Sequence, residues 1–155
     1  MIIIGFPGIG KSTLSRGIGG KYLDLDSSMF NMYNKKIKHW ETPYARTAEY
    51  LSRKGFHVFV SSHPEVVKAL QYSSEIVIMC FPCLELKTEW ISRLKNRYIL
   101  SQLTKDKRAI RRASMFYSQD ISKMISEANE YKFPTIVLRS IDYDLRKELE
   151  EILSI

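Results

Sequence analysis

One stretch decides the fold of this chain: Gly5-Phe6-Pro7-Gly8-Ile9-Gly10-Lys11-Ser12, which satisfies the pattern G-x-x-x-x-G-K-[ST]. It follows the apolar run Ile2 to Ile4 and precedes a helical pattern that begins near Lys11 and ends by Gly17. Glycines at these positions let several backbone N–H groups turn toward one anion. The sequence therefore predicts a buried strand, a phosphate-binding loop and a helix, in that order.

The residue types within this loop predict individual roles. The phosphates of a nucleoside triphosphate are expected to contact Gly8, Ile9, Gly10, Lys11, Ser12 and Thr13. The Lys11 ammonium is expected to reach the β and γ phosphates as a catalytic group, and the Ser12 hydroxyl to hold magnesium. ATP with Mg²⁺ is therefore the predicted ligand.

Strand and helix patterns alternate along the rest of the chain. Further strands are predicted at residues 22–26, 57–61, 75–80 and 135–138, each followed by helical periodicity. This alternation predicts an α/β fold with one five-stranded parallel sheet and helices on both faces. Residues 29–51 are predicted to form two helices, the second with Thr42 at its N-cap. A long helix with an internal break is predicted from Lys107 to about Tyr131.

Composition favours a single domain spanning residues 1–155, with 45% hydrophobic and 26% charged residues. No apolar run reaches the roughly 20 residues of a membrane helix and no secretory leader is recognisable, so a cytoplasmic protein without a membrane partner is expected. The net charge of +7 lies between Arg93 and Gln119, where eight basic residues stand against one acid. Such a segment predicts an anionic partner: a triphosphate or, as an alternative, a nucleic acid.

The loop, the sequence Asp24-Leu25-Asp26-Ser27-Ser28 and the arginine-rich segment together resemble the small P-loop kinases, which include nucleoside monophosphate, shikimate, gluconate and polynucleotide kinases. The resemblance implies a three-layer P-loop NTPase fold, an acceptor-binding region at about residues 27–55 and a mobile helical lid at about residues 93–119. It also implies that arginines of the lid close over the phosphates. The candidates are Arg93, Arg97 and Arg108 as catalytic residues, Arg112 as a substrate-binding residue, and Arg111.

Two carboxylates at the end of the second predicted strand are candidate catalytic residues. Asp24 and Asp26 are separated by one residue, so they are expected to point to the same side of the strand. Asp26 is the predicted magnesium partner of Ser12, and either aspartate is a candidate base. Many members of the kinase group have an acid after the third strand. Here that position reads Ser61-Ser62-His63, and His63 is a candidate substrate-binding residue.

The phosphoryl acceptor has two candidate chemistries. A monophosphate needs cations, for which Arg46 is the candidate, and Ser28 with the aromatic residues Phe30, Tyr33, Trp40 and Tyr44 is expected to hold its nucleoside. A hydroxyl acceptor, either a nucleic acid 5′ end or a small metabolite, needs a carboxylate base such as Asp24 or Asp26. The leading prediction is an ATP-dependent nucleoside or deoxynucleoside monophosphate kinase. The alternatives are a hydroxyl kinase and a nucleotide-binding regulator without turnover.

Two other functional classes fit the sequence less well. A GTPase is disfavoured because the base-reading motif Asn-Lys-x-Asp does not occur. Cys80 and Cys83 have the C-x-x-C spacing of a redox pair, but a cysteine at a strand end is more often an inert core residue.

Overall fold

The computed structural model describes residues 1–17, 19–32 and 35–154. Its helices and strands are, in chain order, β1 (Ile2–Gly5), α1 (Lys11–Ser15), β2 (Tyr22–Asp24), β3 (Asn31–Met32), β4 (Lys35–Lys36), α2 (Glu41–Arg53), β5 (His57–Val60), α3 (Pro64–Ala69), β6 (Val77–Pro82), α4 (Lys87–Ser101), α5 (Thr104–Tyr131), β7 (Thr135–Leu138) and α6 (Leu145–Leu153). Short 3₁₀ turns cover Ser27–Phe30 and Leu84–Leu86. Tyr33, predicted near the acceptor, lies outside the described residues.

Five strands form one parallel sheet in the order β2-β5-β1-β6-β7, which confirms the predicted α/β architecture. The central strand is β1, in which Ile3 pairs with Phe59 on one side and with Ile78 on the other. All three side chains are buried. A central parallel strand is covered on both faces, which explains why Ile2 to Ile4 is a continuous apolar run.

The direction of the connections places the helices. The connection from β1 to β2 runs toward one edge of the sheet, whereas the later connections to β5, β6 and β7 run toward the other edge. Because crossovers between parallel strands are right-handed, α1 lies on one face of the sheet, and α2, α3 and the α4–α5 pair lie on the opposite face. The segments that follow the five strands meet at the carboxyl edge of the sheet.

The segment after β2 differs from the prediction of two helices. It forms the 3₁₀ turn Ser27–Phe30 and the antiparallel pair β3–β4 before the single helix α2. Asp26 caps this turn by accepting the Ser28 N–H at 2.9 Å, a local hydrogen bond that competes with helix formation. The predicted N-cap at Thr42 is also wrong: α2 follows Trp40, since the missing N–H of Pro43 is tolerated within the first turn.

The basic segment forms a helical hairpin from α4 and the first half of α5. The predicted break in the long helix lies at Phe116, where φ is −134°. Buried Trp90, Leu94 and Tyr117 join this hairpin to the core of the domain. Among the described residues, no helix combines the length and the apolar character that a bilayer crossing requires.

Candidate functional site

The glycine-rich loop, residues 5–12, joins β1 to α1 at the carboxyl edge of the sheet. Gly8 and Gly10 have φ values of +92° and +106°, in the left-handed region that favours glycine. A Cβ atom at Gly5 would lie 2.6 Å from the terminal Cδ1 of Ile9, so the Ile9 side chain would have to shift to accommodate it. Local backbone or packing geometry thus favours glycine at each of these three positions.

Several backbone donors of this loop have no partner within the protein. Across residues 1–17, 19–32 and 35–154, no acceptor takes the N–H groups of Gly8, Gly10, Lys11 and Ser12. The N–H of Ile9 contacts the Phe6 carbonyl at 3.4 Å, and Thr13 is exposed on α1. Unpaired N–H groups that follow one another along a curled backbone form a concavity for an anion. No acceptor within the described residues takes the Thr13 N–H either, so five of the six predicted phosphate contacts carry free backbone donors.

Lys11 lies at the start of α1, and its Nζ donates to the Gly5 carbonyl at 3.2 Å. Burial lowers the pKa of Lys11, the negative charge of Asp24 raises this pKa, and the positive charge of Arg97 lowers it further. Lys11, Asp24 and Arg97, which the sequence singled out separately, are therefore close enough to interact electrostatically.

Ser12 pairs with Asp24 rather than with Asp26. The Ser12 hydroxyl donates to Oδ2 of Asp24 at 3.2 Å. Asp24 is the last residue of β2, and Asp26 caps the following turn. Both aspartates are exposed on either side of the buried Leu25, and the negative charges of both raise the pKa of Lys11. Burial raises the pKa of Asp26, but hydrogen bonds from Ser28 and the charges of Lys105 and Lys36 lower it below its ordinary value overall.

Protein ligands for a metal are few at this site. In the described part of the chain, no three His, Cys, Asp or Glu side chains cluster in a way that could hold a metal ion. Ser12 and Asp24 can still provide two oxygen atoms. Mg²⁺ fits such a sparse site when water and phosphate oxygens complete its coordination.

A cavity of about 460 Å³ adjoins the glycine-rich loop. Its wall combines loop residues, the segment after β5 and one face of α5, and comprises Gly5, Phe6, Pro7, Lys11, Ser61, Ser62, His63, Pro64, Leu94, Ala109, Arg112, Ala113, Asp120, Lys123, Met124 and Glu127. His63 shares a hydrogen bond of 2.8 Å with the Ser61 hydroxyl, and burial lowers the pKa of its ring. The cavity thus has an apolar wall, several charged groups and direct contact with Lys11.

Four candidate arginines of the basic segment, Arg93, Arg97, Arg108 and Arg112, occupy different environments, and the fifth, Arg111, is exposed on α5. Arg93 donates from Nε to the Gly8 carbonyl at 2.8 Å, and Arg97 forms an ion pair of 3.0 Å with the buried Asp106. Arg108 is exposed and does not line the cavity. Arg112 does line it, and its guanidinium donates two hydrogen bonds to the Asp120 carboxylate, at 2.8 and 2.6 Å.

No predicted acceptor residue in the described part of 27–55 lines this cavity, although Tyr44 and Trp40 contact its lining residues Ser61 and His63. Ser28 is exposed on the 3₁₀ turn, and the Phe30 ring packs edge-on against the buried Tyr44 at 5.4 Å. Arg46 is exposed on α2 and pairs with the buried Glu49 at 3.0 Å. Of the predicted substrate-binding residues, only His63 and Arg112 line the cavity.

Sequence reasoning missed two sets of residues. Asp120, Lys123 and Glu127 line the cavity, and their helical spacing was the available signal. Tyr143 follows β7 at the same sheet edge, and its hydroxyl donates to the Ile9 carbonyl at 2.6 Å. Ligand sites in open parallel sheets lie beyond the carboxyl ends of the strands, and this rule would have pointed to Tyr143.

The two cysteines do not form a reactive pair in this fold. Cys80 is buried within β6, and burial raises its pKa to about 12. A thiol in such surroundings forms little thiolate and is chemically inert.

The fold assembles a curled loop with free donors, Lys11, the Ser12–Asp24 pair and a polar cavity. No protein-family model matches this chain, and a search of curated proteins gives no match either.

Proposed function

We propose that this chain is an ATP-dependent phosphotransferase with a P-loop NTPase fold and that its acceptor is a nucleoside or deoxynucleoside monophosphate. The supporting observation is that unpaired loop N–H groups, the Lys11 ammonium and the Ser12–Asp24 pair lie together at one edge of the sheet. Phosphoryl transfer requires mainly positioning and positive charge around the phosphates, and these groups supply both. The sheet order, with β1 at the centre, is compatible with that fold.

The donor would be held by the loop N–H groups and by Lys11, with Arg97 close to Lys11. Ser12 and Asp24 would hold magnesium. When bound, this ion would neutralise part of the negative charge of the phosphates. Asp106 forms an ion pair with Arg97 and accepts a hydrogen bond from the Ser101 hydroxyl. These contacts hold the Arg97 guanidinium against the turn between α4 and α5.

The cavity beside the loop would hold the acceptor. Its volume of about 460 Å³ falls in the usual range of ligand pockets, roughly 300–1,000 Å³. Arg112 and Lys123 provide cations for a monophosphate, while Phe6, Leu94 and Met124 provide an apolar wall for a nucleoside. Direct contact between this cavity and Lys11 would bring the acceptor next to the donor phosphates.

A hydroxyl acceptor is the second candidate, and the carboxylates of the same cavity favour it. Asp120 and Glu127 line the wall beside Arg112 and Lys123. Burial raises the pKa of Glu127, in the direction that suits a general base near neutral pH. A nucleic acid 5′ end or a small metabolite would then replace the monophosphate.

The test is transfer of label from γ-labelled ATP with magnesium to a panel of ribo- and deoxynucleoside monophosphates and a 5′-hydroxyl oligonucleotide. We expect label on one or a few monophosphates. Label on the oligonucleotide alone would establish the second candidate. Tight ATP binding without transfer to any acceptor would instead favour a regulator without turnover.

The matched control is Lys11→Ala, which removes the ammonium and leaves the loop backbone in place. We expect a loss of transfer on the order of 1000-fold, with unfolding free energy changed by less than about 1 kcal/mol, because Lys11 is only half-buried. Wild-type transfer rates in this variant would contradict the assignment of the loop.

A further inference from the structure

Three consecutive carbonyl groups of the glycine-rich loop accept side-chain hydrogen bonds from distant parts of the chain. The Pro7 carbonyl accepts from Nε1 of Trp90 at 2.9 Å, and the Gly8 carbonyl from Nε of Arg93 at 2.8 Å. The Ile9 carbonyl accepts from the Tyr143 hydroxyl at 2.6 Å. The donors belong to α4 and to the segment between β7 and α6, so two separate elements hold the loop from one side.

The three donors pack against one another. The Trp90 and Tyr143 rings are stacked, with centroids 6.1 Å apart and planes inclined by 14°. The Arg93 guanidinium lies 5.5 Å from the first ring centroid and 5.2 Å from the second. Trp90 is fully buried, and a Cβ at Gly8 would lie 3.2 Å from its Nε1. This group of Trp90, Arg93 and Tyr143, the carbonyl clamp, is therefore a packed unit in close contact with the loop.

The geometry of the peptide unit connects this clamp to the opposite side of the loop. In a trans peptide, the carbonyl and the N–H of the next residue point in opposite directions. Carbonyls fixed at Pro7, Gly8 and Ile9 therefore direct the N–H groups of Gly8, Ile9 and Gly10 away from the clamp. Those of Gly8 and Gly10 are among the free donors of the loop.

We infer that Trp90, Arg93 and Tyr143 are positioning residues that orient the loop N–H groups toward a bound polyphosphate. This inference rests on the proposed function. It assigns Arg93 to the outer side of the loop, in contrast to the sequence-based expectation of an arginine that closes over the phosphates. Without the clamp, the peptide units of the loop would rotate more freely, and phosphate binding would have to restore their order.

The test is Tyr143→Phe, which removes one hydroxyl and keeps the ring stack. Dissociation constants are measured by calorimetry for two probes in the presence of magnesium, ATP and inorganic tripolyphosphate. We expect both constants to rise by about fivefold to tenfold, the typical effect of one lost hydrogen bond. Trp90→Phe, which frees the Pro7 carbonyl, should act in the same direction.

The matched control is Tyr117→Phe. This hydroxyl also donates to a backbone carbonyl, that of Cys83 at 2.7 Å, outside the loop. Both tyrosine variants should lose similar unfolding free energy, but only Tyr143→Phe should weaken the binding of both probes.

Three outcomes would overturn the inference. Equal affinities of Tyr143→Phe and the wild type would exclude the positioning role. Weaker binding of ATP with unchanged binding of tripolyphosphate would assign Tyr143 to a nucleoside contact instead. Absence of binding by the wild type would overturn the proposed function together with the inference, and this result is distinguishable because it does not involve a variant.

Discussion

Strand β5 has a histidine at its first residue and another just beyond its end, and the two rings lie in contrasting surroundings. His57, at the amino edge of the sheet, is buried against Tyr22, and within the described residues neither ring nitrogen has a hydrogen-bond partner. His63, at the carboxyl edge, shares a hydrogen bond with Ser61 and lines the cavity. The amino edge thus buries an unpartnered side chain at a cost, whereas the carboxyl edge pairs the His63 ring and leaves loop N–H groups free for a ligand.

This difference indicates how the two edges respond to substitution. Groups at the carboxyl edge interact with few protein partners, so their loss should alter ligand binding more than stability. Groups at the amino edge are buried among apolar side chains, so their loss should alter stability and leave catalysis unchanged. Three experiments test this contrast.

Asp24→Asn should give the largest effect. It removes the negative charge beside Ser12, and we expect phosphoryl transfer to fall on the order of 1000-fold and the magnesium requirement to rise. Because Asp24 is exposed, unfolding free energy should change by less than about 0.5 kcal/mol. Steady-state kinetics over a magnesium titration and urea unfolding measure the two quantities.

Asp26→Asn is the matched control for that experiment. Asparagine also caps a turn, so this variant should keep the hydrogen bond from Ser28 and most of the activity. A larger loss in Asp26→Asn than in Asp24→Asn would reverse the assignment and would favour a hydroxyl kinase with Asp26 as base.

The pH dependence of stability should give the second largest effect, at the amino edge. Burial, with added repulsion from the N-terminal amine and Lys21, lowers the pKa of His57 to about 4. The unfolded chain has a histidine pKa of about 6.5, so it binds the proton more readily than the folded chain between these values. The free energy of unfolding should therefore have its full value above pH 6.5. It should fall by roughly 3 kcal/mol as the pH drops toward 4.

His57→Phe tests this assignment by urea unfolding at pH 7 and pH 4.5. The adjoining cavity of about 230 Å³ leaves room for the larger ring. Most of the loss between the two pH values should disappear, and transfer activity at pH 7 should match the wild type. An unchanged pH dependence in the variant would show that other groups cause it.

Asp120→Asn should give the smallest effect. The Asp120 carboxylate binds the Arg112 guanidinium and so competes with an anionic acceptor for it. Because the substitution weakens this partly exposed ion pair, the acceptor KM should fall by about threefold. Arg112→Gln should raise the same KM. A rise in both variants would indicate that Asp120 itself contacts the acceptor, as expected for a substrate without a phosphate.

The site was predictable where its residues are neighbours in the sequence. The loop, Lys11 and Ser12 lie within eight residues, so their arrangement follows from local steric and hydrogen-bonding rules. The choice between Asp24 and Asp26 was not predictable, because it depends on where β2 ends and on a hydrogen bond from Ser28. Arg46 was expected at the acceptor, but nothing in the pattern of α2 indicated that Glu49 would be buried beside it.

The sequence by itself determined the central strand, the curled loop and the five-stranded parallel sheet, since continuous apolar runs and fixed glycines act over a few residues. Only the tertiary structure decided which side chains surround the loop. Trp90 and Tyr143 are separated from their loop carbonyls by 83 and 134 residues, and the cavity joins the loop to α5. Contacts over such separations depend on how whole helices pack on the sheet, and that packing minimises the free energy of the entire core rather than of any segment.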